Sequence, residues 1–263
     1  MSMRVPTLGG LAILAAGVAA PLARAAAQAE FHWKGAIAAG KTIEIKGVNG
    51  SVHAIAGSGE TEVTAVKHAR RSDPDEVKIQ VVEHADGVTI CAVYPSDGRH
   101  ENRCERGDDD HMNVHDNDVQ VDFTVTVPAG VRFVGKTVNG EVDGANLASD
   151  VDAHTVNGSI RVSTTGAAEG TTVNGSIVAS LGRADWKNEL SFSTVNGSIT
   201  LDLPATLSAD VRAKTVNGDI ITDFPLTVTG RVGRRSLNGV IGQGGRELAL
   251  STVNGSIRLR KAG

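Results

Sequence analysis

The chain has 263 residues, with 26 Lys and Arg against 30 Asp and Glu, for a formal charge of −4. So mild an acidity gives no electrostatic footprint for nucleic acid and no basic patch for anionic lipid. Aromatic residues make up only 3%, so a core has to rest on Val, Ile, Leu and Ala, which suits thin stacked layers better than a thick globular centre.

Residues 1–29 read as an export signal. Arg4 supplies the positive start, Val5 to Ala23 is an apolar run, and Ala23 to Ala29 carries overlapping A-x-A cleavage sites. A retained anchor would need the same apolar length, and the small-residue cleavage chemistry decides for a signal. Its removal takes away Arg4 and Arg24 and no acid, moving the formal charge from −4 to −6. No second apolar run of spanning length follows, so no membrane span is expected after cleavage, and the product is periplasmic or extracellular.

Residues 30–134 form a β-rich N-terminal region. Alternating apolar and polar runs at 42–45, 62–66, 77–81, 88–90 and 119–127 are each bounded by Gly, Asp, Pro or Asn. Between them lies a polar loop, 95–118, dense in Asp and His. Cys91 and Cys104 are the only cysteines, and export makes a disulfide the expected state, contributing about 3 kcal/mol by loop entropy. The rival is a metal site. His111 and His115 have a familiar spacing, but they sit in a loop and the cysteines lie too far apart for zinc. Asp108 and Asp110 match neither the EF-hand nor the Gly-rich calcium repeat. Acidic loops of this kind are usually solvated, so no metal and no cofactor is expected.

Residues 135–260 hold a repeat. TVNGEV at 137–142 is followed by TVNGSI at 155–160, 172–177, 194–199 and 252–257, with TVNGDI at 215–220 and SLNGVI at 236–241. A forerunner, VNGSV, stands at 48–52. From Asn139 to Asn254 the successive Asn residues are 18, 17, 22, 21, 21 and 16 residues apart, about one solenoid coil each. Asn-Gly is a strong hairpin signal, but a hairpin would mix polar and apolar residues on both faces. Read as one continuous strand, the hexapeptide segregates: Val, Gly and Ile point inward, and Thr, Asn and Ser outward. An Asn-Gly corner in the left-handed region is a local variant of the same architecture.

The expected fold is therefore all-β, a β-solenoid of stacked parallel coils preceded by the β-rich segment. Its outer ladder comprises Thr137, Asn139, Thr155, Asn157, Ser159, Thr172, Asn174, Ser176, Thr194, Asn196, Ser198, Thr215, Asn217, Asn238, Thr252, Asn254 and Ser256. Such a ladder packs along the stack by hydrogen bonding, and it is also the largest regular surface on which a glycan or a protein partner could be recognised. The segment 185–189 stretches one coil and is expected as a surface excursion.

The secretory start, the β-rich lead-in, the V-P-A-G junction at 127–130 and the serial hexapeptides resemble the bacterial putative-adhesin family of β-strand-repeat proteins of unknown function. The resemblance spans roughly residues 30–260 and implies an envelope or secreted β-solenoid without catalytic residues. The residues themselves supply no G-x-S-x-G elbow, P-loop or H-E-x-x-H. The expected function is a non-catalytic envelope module, structural or adhesive, that binds an envelope glycan or protein. The alternatives are a carbohydrate-active solenoid enzyme, which needs paired carboxylates over a groove, and an envelope-stress signalling accessory. An uncapped terminal coil near Leu259 would invite edge pairing into a homo-oligomer.

Overall fold

The computed structural model describes residues 30–96, 98, 101–107, 112–228 and 235–262. The export signal expected at 1–29, together with Asp108, Asp110 and His111, falls outside these residues. The regular structure of the described chain is almost wholly strand, arranged as one 10-stranded and one 11-stranded sheet around a shared, mainly aliphatic core.

Seven windings build the body. In each, a strand of the 11-stranded sheet leads through an Asn-Gly corner into a strand of the 10-stranded sheet. The first winding is β2 (Thr42–Lys46) to β3 (Val52–Gly57), and the second β8 (Arg132–Lys136) to β9 (Val142–Leu147). Then come β10 (Val151–His154) to β11 (Ile160–Thr164) and β12 (Ala168–Thr171) to β13 (Ile177–Leu181). They are followed by β14 (Leu190–Ser193) to β15 (Ile199–Leu203) and β16 (Ala209–Lys214) to β17 (Ile220–Thr222). The last is β20 (Glu247–Ser251) to β21 (Ile257–Lys261). Neighbouring windings pair in parallel, as expected of a solenoid.

In-register stacking makes columns of like residues. One column runs Val52, Val142, Ile160, Ile177, Ile199, Ile257, Ile220. All but the end member, Ile220, are essentially inaccessible. Each such side chain contributes about 2 kcal/mol by leaving water, and each depends on the winding above and below to do so.

Two departures from sequence order matter. The first winding stacks directly on the second although the corners lie 90 residues apart. The intervening chain caps the stack: β4 (Thr61–His68) and β7 (Gln120–Pro128) extend the 10-stranded sheet, with β1 (Glu30–Gly35) antiparallel at its edge. On the other sheet, β6 (Gly87–Val93) pairs with β2, and β5 (Lys78–His84) closes that edge. At the far end the last winding in sequence is not last in space. β20 lies between β14 and β16, and β21 between β15 and β17. The edge near Leu259 is thus interior, and the edge strand at that end of the 10-stranded sheet is β17. On the 11-stranded sheet β19 (Ser236–Ile241) and β18 (Leu226–Val228) cover β16.

The hexapeptide itself corrects the strand expectation. It is the corner between the sheets, so alternation stops at Thr and resumes at Ile. Thr155 is 5% exposed and Val156 38%, the reverse of the parity reading, and the same inversion holds at every corner from 137 to 252. The hairpin reading fails too, because the strands on either side belong to different sheets. Neither do the corners use left-handed backbone: among described residues only Gly50 of the corner glycines has a positive φ, and no corner Asn has one. SLNGVI at 236–241 is the exception. It is a straight strand, with Leu237 and Ile241 buried and Asn238 exposed, as parity predicts.

Candidate functional site

The corners stack into four polar or apolar files along one edge of the molecule. The buried threonines donate their hydroxyls to the glycine carbonyl of the adjoining winding: Thr155 to Gly140 at 2.8 Å, Thr172 to Gly158 at 2.9 Å and Thr194 to Gly175 at 2.8 Å, for example. Thr137, Thr215 and Thr252 make the same bond. Those glycines are required by close approach. A Cβ on Gly158 or Gly175 would lie within 2 Å of the next winding's carbonyl oxygen.

Asparagine amides form the second file. Asn139 donates to Asn49, Asn157 to Asn139, Asn174 to Asn157, Asn196 to Asn174, Asn254 to Asn196 and Asn217 to Asn254, all at 2.7–2.8 Å. Tyr94 lies at its start. Burial pushes the Tyr94 phenol up to about 12, against the pull of hydrogen bonds from the backbone and side chain of Asn49. In the third file, Ser159, Ser176, Ser198 and Ser256 accept the backbone N–H of the next winding. The fourth is apolar and open: Val138, Val156, Val173, Val195, Val253 and Val216 are 38–44% exposed.

The described part of the 95–118 loop lies against the outside of the 11-stranded sheet. The Cys91–Cys104 disulfide anchors it, which removes both thiols from any metal site. Lys46 donates to the carbonyls of Glu105 and Gly107, each at 2.6 Å, and Lys136 pairs with the buried Glu44 at 2.9 Å. Asn102 ties Tyr94 to Asn113 through its amide. At the loop's exit Asp118 accepts the N–H of Ser72 at 2.8 Å. Hydrogen bonds from Ser72 and Arg71, with the Arg71 charge, hold its carboxyl down at about 2 despite some desolvation. Among the described residues no three His, Cys, Asp or Glu side chains converge on a metal position.

A second cluster was not foreseen from sequence. Asp152 on β10 and Glu169 on β12 are register partners, about 4.8 Å apart at the backbone. Burial works to raise Asp152, but His154 at 2.7 Å, then Arg132 and Lys136, hold it below its usual value. Glu169 goes the other way, raised by burial and by the Asp152 charge. Beside them is an open cleft of about 390 Å³, lined by residues including Arg132, Asp150, Glu169, Arg183, Trp186 and Lys187. Trp186, from the 185–189 excursion, is buried and donates to the carbonyl of Glu247. The two acids are 17 residues apart, the same step as Asn157 to Asn174, so laying the coils over one another would have paired them.

Of the expected ladder, then, the corners bring the Asn and Ser residues together on a surface file, while the threonines lie beneath it. Asn238 is elsewhere, on β19.

A two-sheet solenoid whose windings are locked by polar corner files is the class of molecule these observations define. The chain belongs to the family described as Toastrack DUF4097, whose profile matches residues 52–260. That bears out the family resemblance read from the hexapeptides. Among solved structures, the chain is similar to a putative cell adhesion protein from Clostridium sporogenes, with 13% identity and a TM-score of 0.48 over 89% of this chain and 100% of that one. It is also similar to a putative adhesin from Bacteroides fragilis, with 12% identity and a TM-score of 0.28 over 89% of this chain and 97% of that one. No curated protein matches the chain.

Proposed function

We propose that this protein is an exported, non-catalytic envelope module that serves as scaffold and adhesive surface, engaging an envelope glycan or protein along its asparagine corner. The observation that carries this reading is the valine file. Six apolar side chains stand open to solvent in single file beside a neutral amide ladder, the file being about 24 Å long at one strand spacing per winding. A contiguous apolar strip on a soluble protein is commonly a contact surface. The disulfide fits an oxidising compartment, and no helix among the described residues is long and apolar enough to cross a membrane.

The test is retention of the purified chain on glycan arrays and on isolated envelope, compared with the triple variant Val156→Thr, Val173→Thr, Val195→Thr. These changes keep shape and remove apolar surface. Retention by the wild type and its loss in the variant are expected. Equal retention of both, or none by either, overturns the reading.

A second reading, a carbohydrate-active enzyme, is favoured by one observation: Asp152 and Glu169 are neighbouring acids pushed in opposite directions beside a cleft, the arrangement acid–base chemistry uses. Release of reducing sugar ends from envelope glycan, abolished by Glu169→Gln, would establish it. No release refutes it.

A further inference from the structure

We propose that Asn217 is a self-modification site, the corner asparagine that deamidates while the stacked ones are protected. Asn-Gly steps lose ammonia because glycine leaves its own backbone nitrogen unhindered. The Gly218 nitrogen attacks the Asn217 side-chain carbonyl carbon, forming a C–N bond. The amide nitrogen departs as ammonia, carrying the displaced proton. Water then opens the succinimide to aspartate or isoaspartate. The reaction needs a free glycine N–H and a side-chain carbonyl that is not held.

The stack denies both requirements at six steps. Gly50, Gly140, Gly158, Gly175, Gly197 and Gly255 each donate their N–H to the Asn carbonyl of the adjoining winding at 2.9–3.1 Å. The preceding asparagines, Asn49, Asn139, Asn157, Asn174, Asn196 and Asn254, each have Oδ1 occupied by the next amide in the ladder. Asn217 closes the file at the edge strand β17, with no winding beyond it among the described residues. Its Nδ2 donates to Asn254, but among the described residues nothing donates to its Oδ1 and nothing accepts the N–H of Gly218. Its side chain is exposed. The eighth step, Asn238–Gly239, is held extended between β16 and β18, Gly239 facing Val211 on one side and Val228 on the other.

The product changes the end of the molecule. A carboxylate at position 217 cannot donate to Asn254, so the last link of the ladder opens. It also places a negative charge two residues from Asp219, beside the edge strand β17, where another strand could add. Like charge on an edge discourages pairing between copies. Ageing at Asn217 therefore adds a second negative charge to this end and makes pairing there less favourable.

The experiment incubates the folded chain in mildly alkaline buffer and follows each of the eight Asn-Gly peptides by mass and by isoaspartate content after acid-quenched digestion. A parallel sample is held unfolded in urea. Native conversion at Asn217 several-fold ahead of every other step, with the eight converging in urea, is expected. Native conversion no faster at Asn217 than at the stacked corners, or led by Asn238, overturns the proposal. So does a lead by Asn217 that persists unchanged in urea, since the local Gly-Asp sequence and not the stack would then be responsible.

Discussion

Two stretches of nearly the same sequence take different structures. TVNGSI at 172–177 turns a corner between two sheets, while SLNGVI at 236–241 runs straight through one. Both contain Asn-Gly, and neither uses positive φ. The two differ at the first, second and fifth positions, and the second, Val173 or Leu237, is exposed in the corner and buried in the strand. Thr172 supplies a hydroxyl that reaches the Gly158 carbonyl of the winding beside it, and Ser176 offers an acceptor to the next winding's N–H. Ser236 and Val240 stand at those positions in the straight copy, where β16 and β18 satisfy the backbone directly. The first corner, at 48–52, completes the lesson. It has Gly47 where the others have Thr, and it turns all the same, because no winding lies beyond it to receive a hydroxyl; β7 takes that place. Asn-Gly permits the turn, and its neighbours in the stack decide whether it happens.

The contrast breaks most visibly at glycine. Gly175→Ala should cost about 3 kcal/mol, because its Cβ would sit 1.9 Å from the Gly158 carbonyl oxygen, a contact backbone cannot relieve. Gly239→Ala, whose nearest neighbour is a leucine methyl at 3.4 Å, should change stability by no more than about 1 kcal/mol. Urea unfolding of the two variants measures both. Similar losses would mean that the corner and the strand constrain glycine alike.

Next in size is the hydroxyl. Thr172→Val keeps the shape and deletes the donor, leaving a buried carbonyl short of a partner, and should cost about 1–2 kcal/mol. Ser236→Val, on the exposed side of β19, should fall within about 0.5 kcal/mol of the parent. The smallest effect is expected away from both copies, at Glu169. Burial raises its pKa in the folded state, so the folded chain holds that proton more tightly than the unfolded one. The resulting stability is present below the unfolded pKa and is lost as pH rises through the folded one. Glu169→Gln should therefore raise the melting temperature at neutral pH, by less than about 1 kcal/mol in stability terms. The gap should close below the ordinary carboxylate range. A variant that is less stable at neutral pH would contradict the sign.

Much of the architecture was legible because spacing survives folding: a period near 20 residues, apolar residues thin enough to stack, and no helical periodicity together specify windings. The facing of the hexapeptide was not legible. Two residues of alternation before a turn look like two residues of a strand, and only the buried carbonyl awaiting Thr155 shows that the chain has turned. The placement of the last winding was hidden for another reason. All corners are nearly interchangeable, so their sequences carry no order; the order comes from β18 and β19 occupying the side of β16 that faces away from β20. The disulfide could be read from two cysteines and the expectation of export. The pairing of Asp152 with Glu169 required knowing which coil lay beside which.

The threading of β20 and β21 between earlier windings fixes when this protein can finish folding. Strand β17 has no partner until β21 is made, and β16 until then has only β19 on its far side, so the stack cannot close from its beginning to its end as synthesis proceeds. A chain lacking β20 and β21 would not be a slightly shorter rod. It would have a gap one layer wide, between β14 and β16 in one sheet and between β15 and β17 in the other, with two unsatisfied faces.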